Sequence, residues 1–156
     1  MNLSVKQGES VAIVGKTGAG KTSIVNLIMK FYDIDKGKIL IDGKDIKDIN
    51  VETLRRNIGV VLQDTKLFYG TIKENIAYGK TDATDEEIKS AAILSGADTF
   101  INRLTEGYNT LITENTILSE GEVQLITIAR VFLLKPPILI LDEATSNVDT
   151  RTEELV

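Results

Sequence analysis

The stretch VGKTGAGKTS, residues 14–23, decides the fold, because it places three glycines and two lysines directly after the apolar run Val11–Val14. A strand predicted over residues 11–14 and a helix predicted over residues 21–31 flank it, which is the setting of a phosphate-binding loop. Glycines let backbone N–H groups turn inward around phosphate oxygens, while the start of the helix adds partial positive charge. The stretch therefore predicts a nucleotide-phosphate site in an α/β domain.

This phosphate loop matches the pattern Gly-x-x-x-x-Gly-Lys-Thr from Gly15 to Thr22. We expect the Lys21 ammonium to reach the outer phosphates and the Thr22 hydroxyl to bind Mg²⁺. Such a loop also needs an acidic residue that holds the metal, supplied from elsewhere in the chain. The predicted phosphate-binding residues are Gly15, Lys16, Thr17, Gly18, Ala19, Gly20, Lys21, Thr22 and Ser23.

Two acidic residues follow a second predicted apolar strand. The run Ile138–Leu141 is typical of a parallel strand covered on both faces, and Asp142 and Glu143 come directly after it. In such sheets, ligands bind at the carboxyl ends of the strands. We expect Asp142 to hold Mg²⁺, and Glu143 to orient or deprotonate the water that attacks the terminal phosphate.

The remaining pattern predicts short strands near the N-terminus and helices after them. Strands at 2–5 and 11–14 flank a turn at Gln7–Glu9, and a hairpin turns at Asp42-Gly43. Thr84–Glu87 is a capping-box pattern that opens a helical region broken near Gly96. The other predicted elements are strands at 38–41, 44–46 and 58–62, helices at 51–56, 71–77 and 122–134, a loop at 105–118, and a final helix beginning at Asp149.

The composition excludes several classes of protein. The 156 residues are 42% hydrophobic, which is enough for the packed core of one domain. The formal net charge of −5, without any basic block, argues against nucleic acid as a partner. The absence of cysteine excludes disulfides, and the absence of histidine excludes an imidazole base or ligand. No stretch approaches the ~18 apolar residues of a membrane span.

Three further segments extend the pattern beyond a phosphate loop. ILILDEATSNVD at residues 138–149 looks like a Walker B strand that runs into a D-loop. GVVLQD at 59–64, followed by LFYGTIKENI at 67–76, is similar to the Q-loop segment of exporters, and LSEGE at 118–122 occupies the place of a signature sequence. Together they resemble the nucleotide-binding domain of exporter-type ABC transporters over nearly all of the chain.

The resemblance implies a fold and a set of ligands. The fold is α/β, a P-loop NTPase core with a mostly parallel sheet, an N-terminal antiparallel β part and a helical signature subdomain at about residues 71–134. It implies one domain over residues 1–156, incomplete at its ends. The implied ligands are ATP and Mg²⁺, and the implied activity is ATP hydrolysis coupled to transport.

The resemblance also implies two such domains paired head to tail, as a homodimer or a heterodimer. One copy would use its phosphate loop, Gln63, Asp142 and Glu143, and Gln63 would contact Mg²⁺ or the attacking water. The signature residues that the other copy would contribute are Ser119, Gly121 and Glu122. Closing and reopening of the pair would drive export through a transmembrane domain, so the chain would lie at the cytoplasmic face of the cell membrane. Phe68 and Tyr69 would lie near the surface that couples to that domain.

The signature departs from the pattern of the family, which leads us to expect glutamine at position 122 and glycine or glutamine at position 120. This chain has Glu122 and Glu120 instead. In one interpretation, these carboxylates face the γ-phosphate and repel it. In the other, Ser119–Glu122 forms a capping box, so that Glu122 folds back onto the Ser119 N–H and points away from nucleotide. Both interpretations predict weaker ATP-driven pairing than glutamine at position 122 would give.

The resemblance further implies that parts of the family's domain are missing. The family places an adenine-stacking aromatic residue upstream of Met1, and a switch histidine on a loop beyond the last helix that begins here. A chain without histidine cannot contain that residue. We therefore interpret the sequence as truncated at both ends, and we expect poor ATP hydrolysis from these 156 residues alone.

The sequence is also compatible with two other functions. The chain could be a degenerate regulatory half that binds ATP and hardly hydrolyses it, which the altered signature favours and Glu143 argues against. It could also be an ABC-type protein of DNA repair or translation, which the exporter-like segment at 67–76 and the lack of basic patches argue against.

Overall fold

The computed structural model describes residues 2–62 and 66–142, which form parts of two compact units, Met1–Val51 and Glu52–Val156. Gln63 and Glu143 lie outside the described residues, as do the D-loop-like run to Asp149 and the helix predicted to begin there. The single domain expected over residues 1–156 therefore stays a prediction.

The N-terminal segment of the first unit contains the predicted turn but not the predicted strands. Glu9 N donates to Lys6 O at 3.1 Å, and Lys6 N donates to the Glu9 carboxylate at 2.8 Å. The strands expected at 2–5 and 11–14 are wrong, because the described part of the unit pairs neither segment in a ladder, and Val14 is 88% exposed. Apolar, β-branched residues favour a strand only where a neighbouring strand and a covering face are present.

Helix α1, Lys21–Ile28, follows the phosphate loop and is shorter than the helix predicted over 21–31. The chain leaves the helix where Lys30 takes a φ of +53°, a left-handed conformation typical of helix ends. Val25 and Met29 are buried on the inner face. The Lys30 ammonium then donates to Ile49 O at 3.0 Å, which ties the end of the helix to the segment that follows the hairpin.

The predicted hairpin forms between β1, Leu40–Ile41, and β2, Lys44–Asp45. Its two-residue turn has positive φ at Asp42, +49°, and at Gly43, +79°, as a type I′ turn requires. A short 3-10 turn, Ile46–Asp48, comes next. The hairpin is thus the antiparallel β part of the described N-terminal unit.

The second unit contains a two-stranded parallel sheet. Helix α2, Val51–Arg56, precedes β3, Ile58–Val61, which pairs with β6, Ile138–Leu141, over its whole length. The middle of β6 is less covered than predicted, since Leu139 is 36% exposed. The parallel register brings the carboxyl ends of both strands to the same edge.

The helical part of the second unit contains α3, Ile72–Ala77, α4, Asp85–Ser95, α5, Ala97–Ile101, and α6, Glu120–Leu134. Among these described helices, none is both long enough and apolar enough to cross a membrane. These helices share an aliphatic core with Ile112, which lies between α5 and α6 in the chain. The helical residues of this core are Ile72, Ile76, Ile88, Ala91, Ala92, Ala97, Ile101, Ile126, Ala129 and Leu133.

The segment 105–118, expected to be a loop, contains a 3-10 turn at Gly107–Asn109 and strand β5, Leu111–Ile112. Strand β5 pairs antiparallel with β4, Gly70–Thr71. This short ladder holds the entry to α3 against the segment that leads to α6, and Ile72 N donates to Thr110 O at 3.0 Å.

Candidate functional site

The phosphate loop has the backbone geometry that its glycines permit. Gly18 has a φ of +81° and Gly20 a φ of +89°, conformations that a residue with a Cβ adopts at a cost. Ala19 N donates to Lys16 O at 3.0 Å and closes the turn between them. Helix α1 begins directly after Gly20, which as its N-cap residue makes no side-chain cap hydrogen bond.

The Lys21 side chain folds back over this loop. Its Nζ donates to Gly15 O at 3.0 Å, across six residues of chain. A Cβ on Gly15 would lie 3.1 Å from the Ala19 Cβ, so the two sides of the loop approach closely at that point. The loop thus gathers an ammonium group, helix N–H donors and the hydroxyls of Thr22 and Ser23, without any carboxylate in residues 14–23. This donor set fits a Mg²⁺-bound polyphosphate.

Asp142 lies at the carboxyl edge of the parallel sheet in the second unit. Its backbone N donates to Val61 O at 2.9 Å and extends the ladder by one bond beyond β6. The side chain is half-buried. Strand β3 ends beside it at Val61. A carboxylate here suits a hard cation such as Mg²⁺.

The signature segment begins α6 with a complete capping box. Ser119 Oγ accepts from Glu122 N at 3.2 Å, and the Glu122 carboxylate accepts from Ser119 N at 2.8 Å and from Ser119 Oγ at 2.9 Å. Of the two interpretations of Glu122, the structure has the second, in which its carboxylate folds back onto Ser119. Glu120 and Gly121 occupy the first two helical positions, and the carboxylates of Glu120 and Glu122 both lie in the first turn of α6.

The sequence reasoning missed a polar centre that joins α3, α6 and the segment before β4. Asn75 is 2% exposed, accepts from Phe68 N at 2.7 Å, and donates to Phe68 O at 2.9 Å and Thr71 O at 3.0 Å. The Arg130 guanidinium donates from Nε to Asn75 O at 2.8 Å. Burial lowers the pKa of Arg130 from its ordinary value. The available signal was one asparagine between the apolar positions 72 and 76 of a short helix.

Arg130 also lies over two stacked rings on the outer side of this centre. The rings of Phe68 and Tyr78 are 4.1 Å apart, and the guanidinium carbon is 5.1 Å from the first centroid and 5.5 Å from the second. Tyr69, beside them, is 79% exposed. The three rings border a groove of about 490 Å³ that also contacts Glu74 and Leu111. We call Phe68, Tyr69 and Tyr78 the aromatic surface.

Curated relatives match 98–100% of this chain. A "Fatty acid ABC transporter ATP-binding/permease protein" of Mycobacterium bovis is 56% identical over 100% of the chain and 25% of its own length. An uncharacterized ABC transporter ATP-binding protein of Bacillus subtilis is 54% identical over 98% of the chain and 26% of its own length. A putative multidrug export ATP-binding/permease protein of Staphylococcus aureus is 50% identical over 100% of the chain and 27% of its own length. The chain spans about a quarter of the length of these relatives.

A solved structure and a family model agree with the identity of these relatives. The chain is similar to a bacterial Atm1-family ABC exporter solved with ATP bound, with a TM-score of 0.83 and 46% identity over 90% of this chain and 25% of that one. The family model for ABC transporters matches residues 1–146. The phosphate loop and the parallel strands described above fit the P-loop NTPase fold of this family. This chain therefore belongs to the ABC transporter family, as an ATP-binding domain of the exporter type.

Proposed function

We propose that this chain binds and hydrolyses Mg²⁺-ATP in a head-to-tail pair and so powers export through a transmembrane domain. The observation that carries the proposal is the phosphate loop, where Lys21, Gly18 and Gly20 have the conformations that a polyphosphate-binding turn needs. A homodimer and a heterodimer with a related chain both fit the proposal.

Each residue of the phosphate loop has a separate role in this proposal. The Lys21 ammonium leaves Gly15 O and donates to the outer phosphates, which exchanges a neutral acceptor for a charged one. The first turn of α1 directs its N–H groups at phosphate oxygens. Thr22 and Asp142 hold Mg²⁺, together with Gln63. When bound, Mg²⁺ neutralises charge that develops on the phosphates during phosphoryl transfer.

Glu143 is the proposed catalytic residue. Its carboxylate orients the attacking water and accepts a proton from it, the role that hydrolysis of a phosphoanhydride requires. Ser119 and Gly121 reach the same nucleotide from the other copy, at the N-terminus of α6. A site built in this way is complete only when two copies meet.

The aromatic surface is the proposed contact with the transmembrane domain. Phe68, Tyr69 and Tyr78 are 45%, 79% and 58% exposed, which is more than their apolar area favours in water. The relatives that join an ATP-binding and a permease part in one chain support a transmembrane partner. Such a partner would place the chain at the cytoplasmic face of the membrane.

A regulatory half that binds ATP with little turnover is the second candidate function. The observation that favours it is the capping box at the signature, in which the Ser119 hydroxyl already donates to Glu122. Single-turnover hydrolysis, measured with the copy or related chain that pairs with it, separates the two functions. Glu143→Gln should abolish turnover under the first function and leave ATP binding unchanged.

Calorimetric titration with Mg²⁺-ATP tests the proposal. We expect Lys21→Ala to weaken binding by about tenfold or more, because it removes a charge-assisted hydrogen bond to phosphate. Lys36→Ala is the matched control, since it removes the same charge from an exposed site outside the loop and should leave the affinity unchanged. A chain without affinity for Mg²⁺-ATP, or one whose affinity survives Lys21→Ala, contradicts the proposed function.

A further inference from the structure

The hydroxyl of Ser119 donates one hydrogen bond and accepts another within its own chain. It donates its proton to the Glu122 carboxylate at 2.9 Å and accepts the Glu122 N–H at 3.2 Å. The same carboxylate oxygen accepts the Ser119 backbone N–H at 2.8 Å. One side chain therefore engages the hydroxyl proton and one of the N–H groups at the start of α6.

The charge of Glu122 makes this contact stronger than its neutral counterpart. A hydrogen bond to a carboxylate is about twice as strong as one to a neutral acceptor. The carboxylate also places a negative charge in the first turn of α6, where the helix carries its partial positive charge. An incoming phosphate must therefore displace the hydroxyl from an anion and approach a helix end that an anion already compensates.

We propose that Glu122 restrains ATP-dependent pairing of two copies, by holding the Ser119 hydroxyl within its own chain until a phosphate displaces it. This inference rests on the proposed function, in which Ser119 meets nucleotide held by the other copy. Replacement of the carboxylate by an amide keeps an oxygen that accepts from Ser119 N and removes the charge. The helix start is thus retained while the hydroxyl is released more easily.

Helix α3 offers a matched control, because it begins with a capping box of nearly the same geometry. The Glu74 carboxylate accepts from Thr71 N at 2.6 Å and from Thr71 Oγ1 at 3.0 Å, and Glu74 N donates to Thr71 Oγ1 at 3.1 Å. Glu74→Gln removes the same charge from the same kind of contact, away from the signature. Glu120→Gln removes a charge from the first turn of α6 without touching the hydroxyl bond.

The experiment measures dimerisation of the full chain by analytical ultracentrifugation, with Mg²⁺ and the β,γ-imido analogue of ATP. We expect Glu122→Gln to tighten analogue-dependent dimerisation at least about fivefold relative to the unchanged chain. Glu74→Gln should leave it unchanged, and Glu120→Gln should change it by less than about twofold, since long-range charge effects are screened by salt. Circular dichroism establishes that each variant keeps its helices.

The outcomes separate this inference from the proposed function. In one outcome, the chain binds the analogue more tightly than the Lys21→Ala variant does, while Glu122→Gln fails to tighten dimerisation. That result overturns the proposed role of Glu122 and leaves the proposed nucleotide binding intact. An effect of Glu120→Gln as large as that of Glu122→Gln also overturns it, because charge alone would then account for the change. If the unchanged chain does not bind the analogue, both the proposed function and the proposed role of Glu122 are overturned.

Discussion

The Arg130 guanidinium donates a 2.8 Å hydrogen bond from Nε to the backbone oxygen of Asn75, between residues 55 positions apart in the chain. Through this bond α6 contacts α3, and through the Asn75 side chain it contacts the backbone of Phe68. Asn75 thus connects α6, through its backbone oxygen, with the segment around Phe68, through its buried side-chain amide. Because the amide is paired at both of its ends, its position is tightly specified.

Asn75→Ala should destabilise the second unit by about 2–4 kcal/mol. The substitution leaves the Phe68 N–H and two carbonyl oxygens without their partner in a partly buried environment, and it removes the acceptor of a second Arg130 bond at 3.3 Å. Urea denaturation followed by circular dichroism measures the change. The matched control is Asn102→Ala, whose exposed side chain donates to Asp98 at 2.8 Å, with an expected cost of about 0.5–1 kcal/mol. Equal costs for the two variants would show that the buried centre has no special role.

Gly59→Ala should destabilise the fold by about 1–3 kcal/mol, because β3 and α6 meet at this residue without room for a methyl group. A Cβ at position 59 would lie 2.5 Å from Val131 Cγ1 and 2.6 Å from Pro136 Cγ. Val131 is buried and the proline ring is rigid, so neither yields without shifting its element.

Gly79→Ala is the comparison for that variant. Its Cβ would lie 2.9 Å from Leu134 Cδ1, the end of a flexible side chain that is 46% exposed. Rotation of Leu134 into solvent should therefore limit the cost to about 1 kcal/mol or less. Thermal unfolding of both variants measures the difference, and a larger loss at position 79 would mean that the packing of α6 is tighter near its C-terminus than at β3.

The sequence predicted those elements whose signals are local. The capping-box patterns at Thr84 and Ser119 and the Asp42-Gly43 turn each act within a few residues, and all of them appear in the structure. For the same reason the sequence predicts the interpretation in which Glu122 caps α6, since a capping box is defined by residues three apart.

The features that depend on distant residues could not be predicted in this way. The pairing of β4 with β5 joins segments about 40 residues apart, through strands of two residues that carry almost no periodic signal. The opposite error arose at residues 11–14, where a strong local β pattern has no ladder in the described part of the chain. The Asn75 centre requires Arg130 and Phe68 together, and neither residue alone signals a buried network.

Acid should weaken the starts of α3 and α4. Hydrogen bonds from Thr71 hold the pKa of Glu74 below its ordinary value of 4.5, and bonds from Lys80 and Thr84 do the same for Glu87. A carboxyl whose pKa is lowered in the folded state stabilises the fold above pH 4.5, and this contribution is lost as the pH falls through the lowered value. We expect the free energy of unfolding to decrease from about pH 5 downward, as followed by urea denaturation at successive pH values.

The double variant Glu74→Gln/Glu87→Gln provides the control for that titration. Both amides keep an acceptor for the helix caps and lose the ability to titrate in this range. The dependence of stability on pH below 5 should then become shallower than in the unchanged chain. An identical slope in the two proteins would assign the acid effect to other carboxylates.

Asp142→Asn should weaken nucleotide binding only when Mg²⁺ is present. If Asp142 holds the metal, an amide in its place removes one negative charge from the metal's ligands, and affinity for Mg²⁺-ATP should fall by roughly tenfold. Affinity for ATP in excess EDTA should not change, since the phosphate loop binds the polyphosphate by its own donors. Asp48→Asn, an exposed acid of the first unit, controls for the change in net charge. Calorimetry measures the affinity under both conditions. An equal loss of affinity with and without Mg²⁺ would point to a disturbed fold at the Asp142–Val61 bond. No loss of affinity under either condition would show that Asp142 does not hold the metal.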